Sequence, residues 1–128
     1  MIKNILLVGL GGGIGSILRF LFQRWAYAIY PHHFPWGTLL VNITGCFIIG
    51  LFWGMSFKSF DLNESWKLFL MIGICGGFTT FSAFTLEGIG LLREHRMFLF
   101  LVYVTASVAA GLAATYLGMR LIRPSAVI

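Results

Sequence analysis

Residues 76–85 read Gly76-Gly77-Phe78-Thr79-Thr80-Phe81-Ser82-Ala83-Phe84-Thr85, and no charged residue occurs between Lys67 and Glu87 around them. Two glycines followed by two β-branched threonines are poor helix material. The uncharged length that holds them nevertheless suits a membrane. At about 1.5 Å of rise per residue, roughly 20 apolar residues cross a hydrocarbon layer about 30 Å thick. A backbone break at that depth is tolerated only where the freed carbonyls are buried in protein or line a cavity. The segment therefore predicts a membrane helix with a break in it, and the break is the first place to look for chemistry.

Working outward, three more stretches lack Asp, Glu, Lys and Arg: Lys3 to Arg19, Arg24 to Lys58, and Met97 to Met119. They predict helices near 4–29, 36–57, 67–92 and 97–121, the third one broken, in a single all-α membrane domain over residues 1–128. Four spans place both termini on the same side. Composition agrees, with 59% hydrophobic and 10% charged residues, against roughly 45–50% and about 25% in soluble domains. The mean hydropathy is +0.91, and a small soluble fold leaves too much surface exposed to hide so much apolar side chain. Lys3, an apolar run and Ala26-Tyr27-Ala28 imitate a signal peptide, but the run is too long and Arg19 and Arg24 interrupt it.

The net charge of +5 comes from basic residues scattered at span ends, where they meet the headgroups of a lipid bilayer; no nucleic-acid partner is expected. Trp25, Tyr27, Tyr30, Trp36, Trp53 and Trp66 fall near the same ends, as an aromatic belt does. Cys46 and Cys75 lie within spans without ligand spacing and read as packing residues. His32 and His33, in the loop before the second helix, have no Cys, Asp or further His beside them and read as interfacial polar residues.

The connections are short: 30–35, 58–66 with Asp61, Asn63 and Glu64, and 93–96, tight enough to force an antiparallel hairpin of helices three and four. One membrane face collects Lys3, Lys58, Lys67, Arg120 and Arg123, the other Arg24, Arg93 and Arg96. An excess of five over three is weak direction under the positive-inside rule. A chain that inserts both ways makes an antiparallel homodimer natural. The glycine pairs Gly9–Gly13, Gly11–Gly15, Gly50–Gly54 and Gly73–Gly77 have the spacing that brings helices into close contact in lipid. The Gly-rich start lies in a span, follows no strand and misses the dinucleotide-binding register.

Several residues carry polarity into the spans. Arg19 is expensive, at about 2.5–3.5 kcal/mol near the middle of a span on insertion scales. It is either an anchor that pairs with carbonyls or headgroups, or the source of a positive potential that draws anions to a vestibule. Asn42, one turn after Thr38, offers an amide that can bond across helices or donate to a halide. Tyr103, Ser107 and Gly111 make a small or hydroxyl-bearing stripe on the fourth helix, suited to packing or to a pore wall. Phe81 and Phe84 share a helix face, with Thr85 one turn after Phe81. Phenylalanine edges carry positive charge, so edge-on rings can coordinate an anion that has shed its water. Carbonyls freed at the break are ready ligands for a hard cation. Glu87 closes the segment as a group that caps polar atoms near the interface.

At these residues the sequence resembles the Fluc family, the CrcB-like fluoride channels. The resemblance runs through GGGIGSILRF at 11–20, PWGTLLVNITGCF at 35–47 and GGFTTFSAFTLE at 76–87, then Tyr103 and Ser107. It implies a dual-topology, antiparallel homodimer with two fluoride pores in the bacterial plasma (inner) membrane, giving passive export of fluoride and hence fluoride resistance. Phe81 and Phe84 would be the aromatic residues of the fluoride pathway, Asn42 the polar residue beside them, with Thr38 and Thr85 on the same path. Tyr103 and Ser107 would line it from the fourth helix, and Arg19 would sit at a vestibule. Gly76 and Thr79 would give main-chain carbonyls to a structural sodium ion on the dimer two-fold axis. Gly111 departs from members that carry a second serine there, which shortens the polar track or leaves a gap for water.

No nucleophile–base pair or metal-ligand cluster appears in the chain, so no enzyme is expected. Two other readings compete. A proton-coupled multidrug exporter of similar size needs a membrane acid in its first helix, where this chain has Arg19 and no acid. A non-transporting assembly subunit would account for the glycines and leave Arg19, Asn42 and the broken helix as unexplained expense.

Overall fold

In lipid the backbone must satisfy its own hydrogen bonds, so each uncharged run closes into helix. The computed structural model describes residues 1–31, 33–56 and 62–122. The first span is α1 (Ile2–Ile29) and the second α2 (Trp36–Met55). The third begins as α3 (Glu64–Lys67), widens into a π-helical segment (Leu68–Cys75), returns as α4 (Gly76–Phe78), and resumes after an interruption as α5 (Phe81–Arg93). The fourth is α6 (Met97–Ile122). All four, counting Glu64–Arg93 as one, are long and apolar enough to cross a membrane. Lys58 and Arg123 of the charge comparison, Asp61, His32 and Phe57 at the end of the expected second helix lie outside the described residues.

The third span starts before the expected residue 67 because Asn63 caps it. The Asn63 side chain accepts from the Trp66 amide at 3.0 Å, and Glu64 places a negative charge in the first turn; both favour a helix N-terminus. At the other end, α5 closes on Glu94 with His95 at φ 58°. The Arg96 amide donates to the Leu91 carbonyl and the His95 amide to that of Leu92, at 2.9 and 3.0 Å. This pair of bonds is the Schellman turn, with histidine where glycine is usual, and it folds α5 back onto α6.

Glycines set which backbones touch. A methyl group at Gly73 would come within 2.9 Å of the Gly11 Cα, and one at Gly77 would collide with the Gly12 carbonyl. α1 therefore lies backbone to backbone along the π segment and α4. A methyl at Gly50 would meet the Thr115 carbonyl, and one at Gly54 the side chain of Ile122, so α2 and α6 pack in the same way. The expected Gly9–Gly13 contact does not form within the chain, where nothing lies within 4 Å of either position. A smaller apolar cluster of Leu39, Leu91 and Tyr103, backed by Phe34 and Phe84, ties α2 to the α5–α6 hairpin.

The interruption is two residues long. Gly76 is helical at φ −63°, ψ −39°, so of the residues expected to break the helix the glycines stay within it, and Gly77 packs closely against Gly12. The break falls on Thr79 (φ −80°, ψ 160°) and Thr80 (φ −152°, ψ 121°), both extended. β-Branched residues suit that conformation, and their hydroxyls satisfy the helix ends. Thr79 Oγ1 donates to the Cys75 carbonyl at 2.9 Å, and Thr80 Oγ1 accepts from the Ala83 amide at 3.2 Å as the cap of α5.

Candidate functional site: the break and its cavity

Extended backbone inside a membrane protein needs partners from elsewhere, and Asn42 of α2 supplies both. Its Oδ1 accepts from the Thr80 amide at 2.8 Å, and its Nδ2 donates to the Thr80 carbonyl at 2.9 Å. The side-chain amide acts as a short neighbouring strand would. Nδ2 carries two protons, so the clamp uses one and leaves the second available to a ligand.

The same bonds free carbonyls. In an unbroken helix the Thr80 amide would donate to Gly76 and the Ala83 amide to Thr79. Here the first goes to Asn42 and the second to the Thr80 hydroxyl. The Gly76 and Thr79 carbonyls thus lose their usual helical donors, and both residues line one cavity of about 390 Å³. Neutral carbonyl oxygens fit a hard cation.

Asn42, Phe81, Phe84 and Ser107 line that cavity as well. The Phe81 and Phe84 ring centroids are 5.7 Å apart at 40°, and Phe84 meets the Tyr103 ring at 5.1 Å. Phe81 is 77% exposed on the single chain, an aromatic face at the mouth of the cavity. Ser107 Oγ is buried without a hydrogen-bond partner among the described residues. A helical serine ordinarily bonds back to the preceding turn, as Thr115 does to the Gly111 carbonyl at 3.1 Å. Ser107 keeps its donor for something else.

Thr38 and Tyr103 belong to a second, adjoining cluster. Thr38 Oγ1 donates to Glu87 Oε1 at 2.7 Å and accepts from Gln23 Nε2 at 3.1 Å. The Tyr103 hydroxyl donates to Glu87 Oε2 at 3.2 Å. Thr38 and Tyr103 are fully buried. The carboxylate thus caps hydroxyls from α2 and α6, and Gln23 is a further member that sequence reasoning did not single out. Nothing local marks it, because its partner Thr38 comes from α2 and joins it to Glu87 on α5.

Two expected residues stand apart. Thr85 is exposed and returns its hydroxyl to the Ser82 carbonyl of its own helix at 3.0 Å. Arg19 is half-buried on α1 and does not line the cavity.

The family model described as CrcB-like protein, Camphor Resistance (CrcB), matches residues 6–119. Among named relatives, the fluoride-specific ion channel FluC of Rhizobium etli is 42% identical over 118 residues, covering 92% of this chain and 94% of the relative. That of Azobacteroides pseudotrichonymphae is 44% identical over 118 residues, again 92% and 94%. That of Leptospira interrogans is 40% identical over 121 residues, 94% and 95%.

Proposed function

The chain belongs to the CrcB-like family, and on that premise we propose that it is a fluoride-selective channel giving passive export of cytoplasmic fluoride. It is not an enzyme. The observation that carries the reading is the clamped break. Asn42 holds Thr80 extended beside a cavity where two phenylalanine rings, an unpartnered serine hydroxyl and a spare amide proton converge.

Fluoride holds its water tightly, so a pore must replace that shell with donors of comparable strength. The second Asn42 Nδ2 proton and the Ser107 hydroxyl are conventional donors, and the Phe81 and Phe84 ring edges are weaker positive ones. These donors favour an anion, and none of them carries the negative charge that would draw a cation in preference. Tyr103 and Thr38, oriented by Glu87, form the polar wall next to it, and Thr85 stands one turn from Phe81 on the exposed face of α5. Arg19 contributes a positive field along the approach.

The assembly we propose is an antiparallel, dual-topology homodimer with two pores in the bacterial inner membrane. The weak charge bias supports insertion in both directions, and the exposed Phe81 beside the open cavity supports a covering second copy. At the two-fold axis the Gly76 and Thr79 carbonyls of both copies would hold a structural sodium ion. Hydrogen fluoride enters cells as the neutral acid and ionises where the pH is higher; the channel lets the trapped anion leave down its gradient.

The test is efflux from fluoride-loaded liposomes, with external fluoride followed by electrode, voltage set by a potassium ionophore, and chloride run in parallel. Rapid fluoride loss with little chloride loss is expected. Phe81→Ile should reduce the fluoride rate at least about tenfold, the size of a 1.4 kcal/mol change in barrier. Folded, dimeric protein that passes no fluoride overturns the reading in favour of an assembly subunit.

A further inference from the structure

The polar stripe of α6 ends at Ser107, because Gly111 one turn on has no side chain. The structure shows what stands opposite that gap. A methyl group built on Gly111 would have one neighbour within 4 Å, the Cys46 Sγ at 3.5 Å. Cys46 is itself one turn past Asn42 on α2, so Asn42 and Cys46 face Ser107 and Gly111 as two rungs of a ladder. The lower rung pairs an amide with a hydroxyl; the upper pairs a thiol with no side chain. Cys46 lines the same cavity as Asn42 and Ser107, is half-buried, and is a free thiol.

We propose that the Cys46 thiol is a further lining group of the anion pathway, continuing on α2 the donor track that α6 drops at Gly111. This rests on the channel reading above. A thiol is a weak hydrogen-bond donor, but an anion partly stripped of water strengthens any donor aimed at it. The unpartnered Ser107 hydroxyl, one turn before the gap on α6, is the donor from which the ion would be passed on. The pathway therefore crosses from one helix to the other at this level. The same placement puts a soft sulfur ligand in the route, where a thiophilic cation such as Ag⁺ would bind and block it.

The experiment compares wild type, Cys46→Ser, Cys46→Ala and the double variant Cys46→Ala with Gly111→Ser, all in fluoride-loaded liposomes. Cys46→Ala should slow efflux about tenfold, the loss of one hydrogen bond to a charged group, and Gly111→Ser in that background should restore the rate to within about twofold. Cys46→Ser should conduct at least as fast as wild type. Because Cys75 lines the same cavity, the silver arm is run with Cys75→Ser in every protein: silver ion added as the nitrate should then block the protein that keeps Cys46 and leave Cys46→Ser conducting. Cys46→Ala at the wild-type rate overturns the proposal. So does slowing that Gly111→Ser fails to repair, or silver inhibition equal with and without Cys46, either of which makes the thiol a packing group. Wild type that passes no fluoride defeats the channel reading itself, before any variant is compared.

Discussion

The two halves of the third span are built on opposite plans. Before the break, Glu64–Phe78 lies against α1 with glycine on both sides, so the contact is backbone on backbone. After it, α5 meets α6 through Phe84, Glu87 and Tyr103, and the contact is made by side chains. Along its contact with α1 the first half leaves no gap, and its charged side chains, Glu64 and Lys67, stand in its opening turn, away from that contact's glycines. The second spaces its helices with rings and hydroxyls and leaves a cavity at its start. A half packed backbone to backbone stands beside a half spaced by rings and hydroxyls, and the cavity opens where the two meet.

The sharpest way to break that contrast is to put a side chain where backbones meet. Gly77→Val would drive two methyl groups toward the Gly12 carbonyl. It should destabilise the protein by about 3 kcal/mol or more, read as lost monodisperse protein in detergent or a lowered thermal midpoint. A folded, stable Gly77→Val would show that α1 can move away and that the tight half is not rigid.

Asn42→Ala tests the seam between the halves. It leaves the Thr80 amide and carbonyl without partners, which should destabilise by about 2–4 kcal/mol and abolish fluoride efflux. An unchanged unfolding midpoint would mean that water replaces the clamp. The smallest effect belongs to the hairpin that closes the loose half. His95 occupies the left-handed position of its turn, so His95→Gly should stabilise by about 0.5–1 kcal/mol, measured as a raised thermal midpoint with efflux unaltered.

The membrane spans were legible in the sequence because charge is excluded from hydrocarbon whatever the tertiary fold. The break was legible too, from two glycines followed by two β-branched threonines. Of these four residues it is the threonines that leave the helix, because Asn42 gives Thr80 an alternative set of bonds. The π segment at Leu68–Cys75 left no trace, since an unbroken apolar run says nothing about turn width. Asn42, Phe81, Phe84 and Ser107 were readable as polar or aromatic residues at helical spacing, and they do share a cavity. Glu87 was readable only as a lone acid. Its role needs Thr38, Gln23 and Tyr103, which are brought to it from three other helices, and no local pattern encodes such an encounter.

The interruption at Thr79–Thr80 also gives the middle of the span an electrical polarity. Peptide dipoles add along a helix to roughly half a negative charge at its C-terminal end and half a positive charge at its N-terminal end. Cutting one helix in two brings an end of each kind together, with α4 finishing at Phe78 and α5 starting at Phe81. Two extended residues span only about 7 Å, so opposite partial charges stand side by side in a low-dielectric medium where neither is screened. The negative end carries the freed carbonyls and the positive end carries the phenylalanines. A single two-residue interruption thus sets a negative and a positive helix end side by side, without one formally charged residue between Lys67 and Glu87.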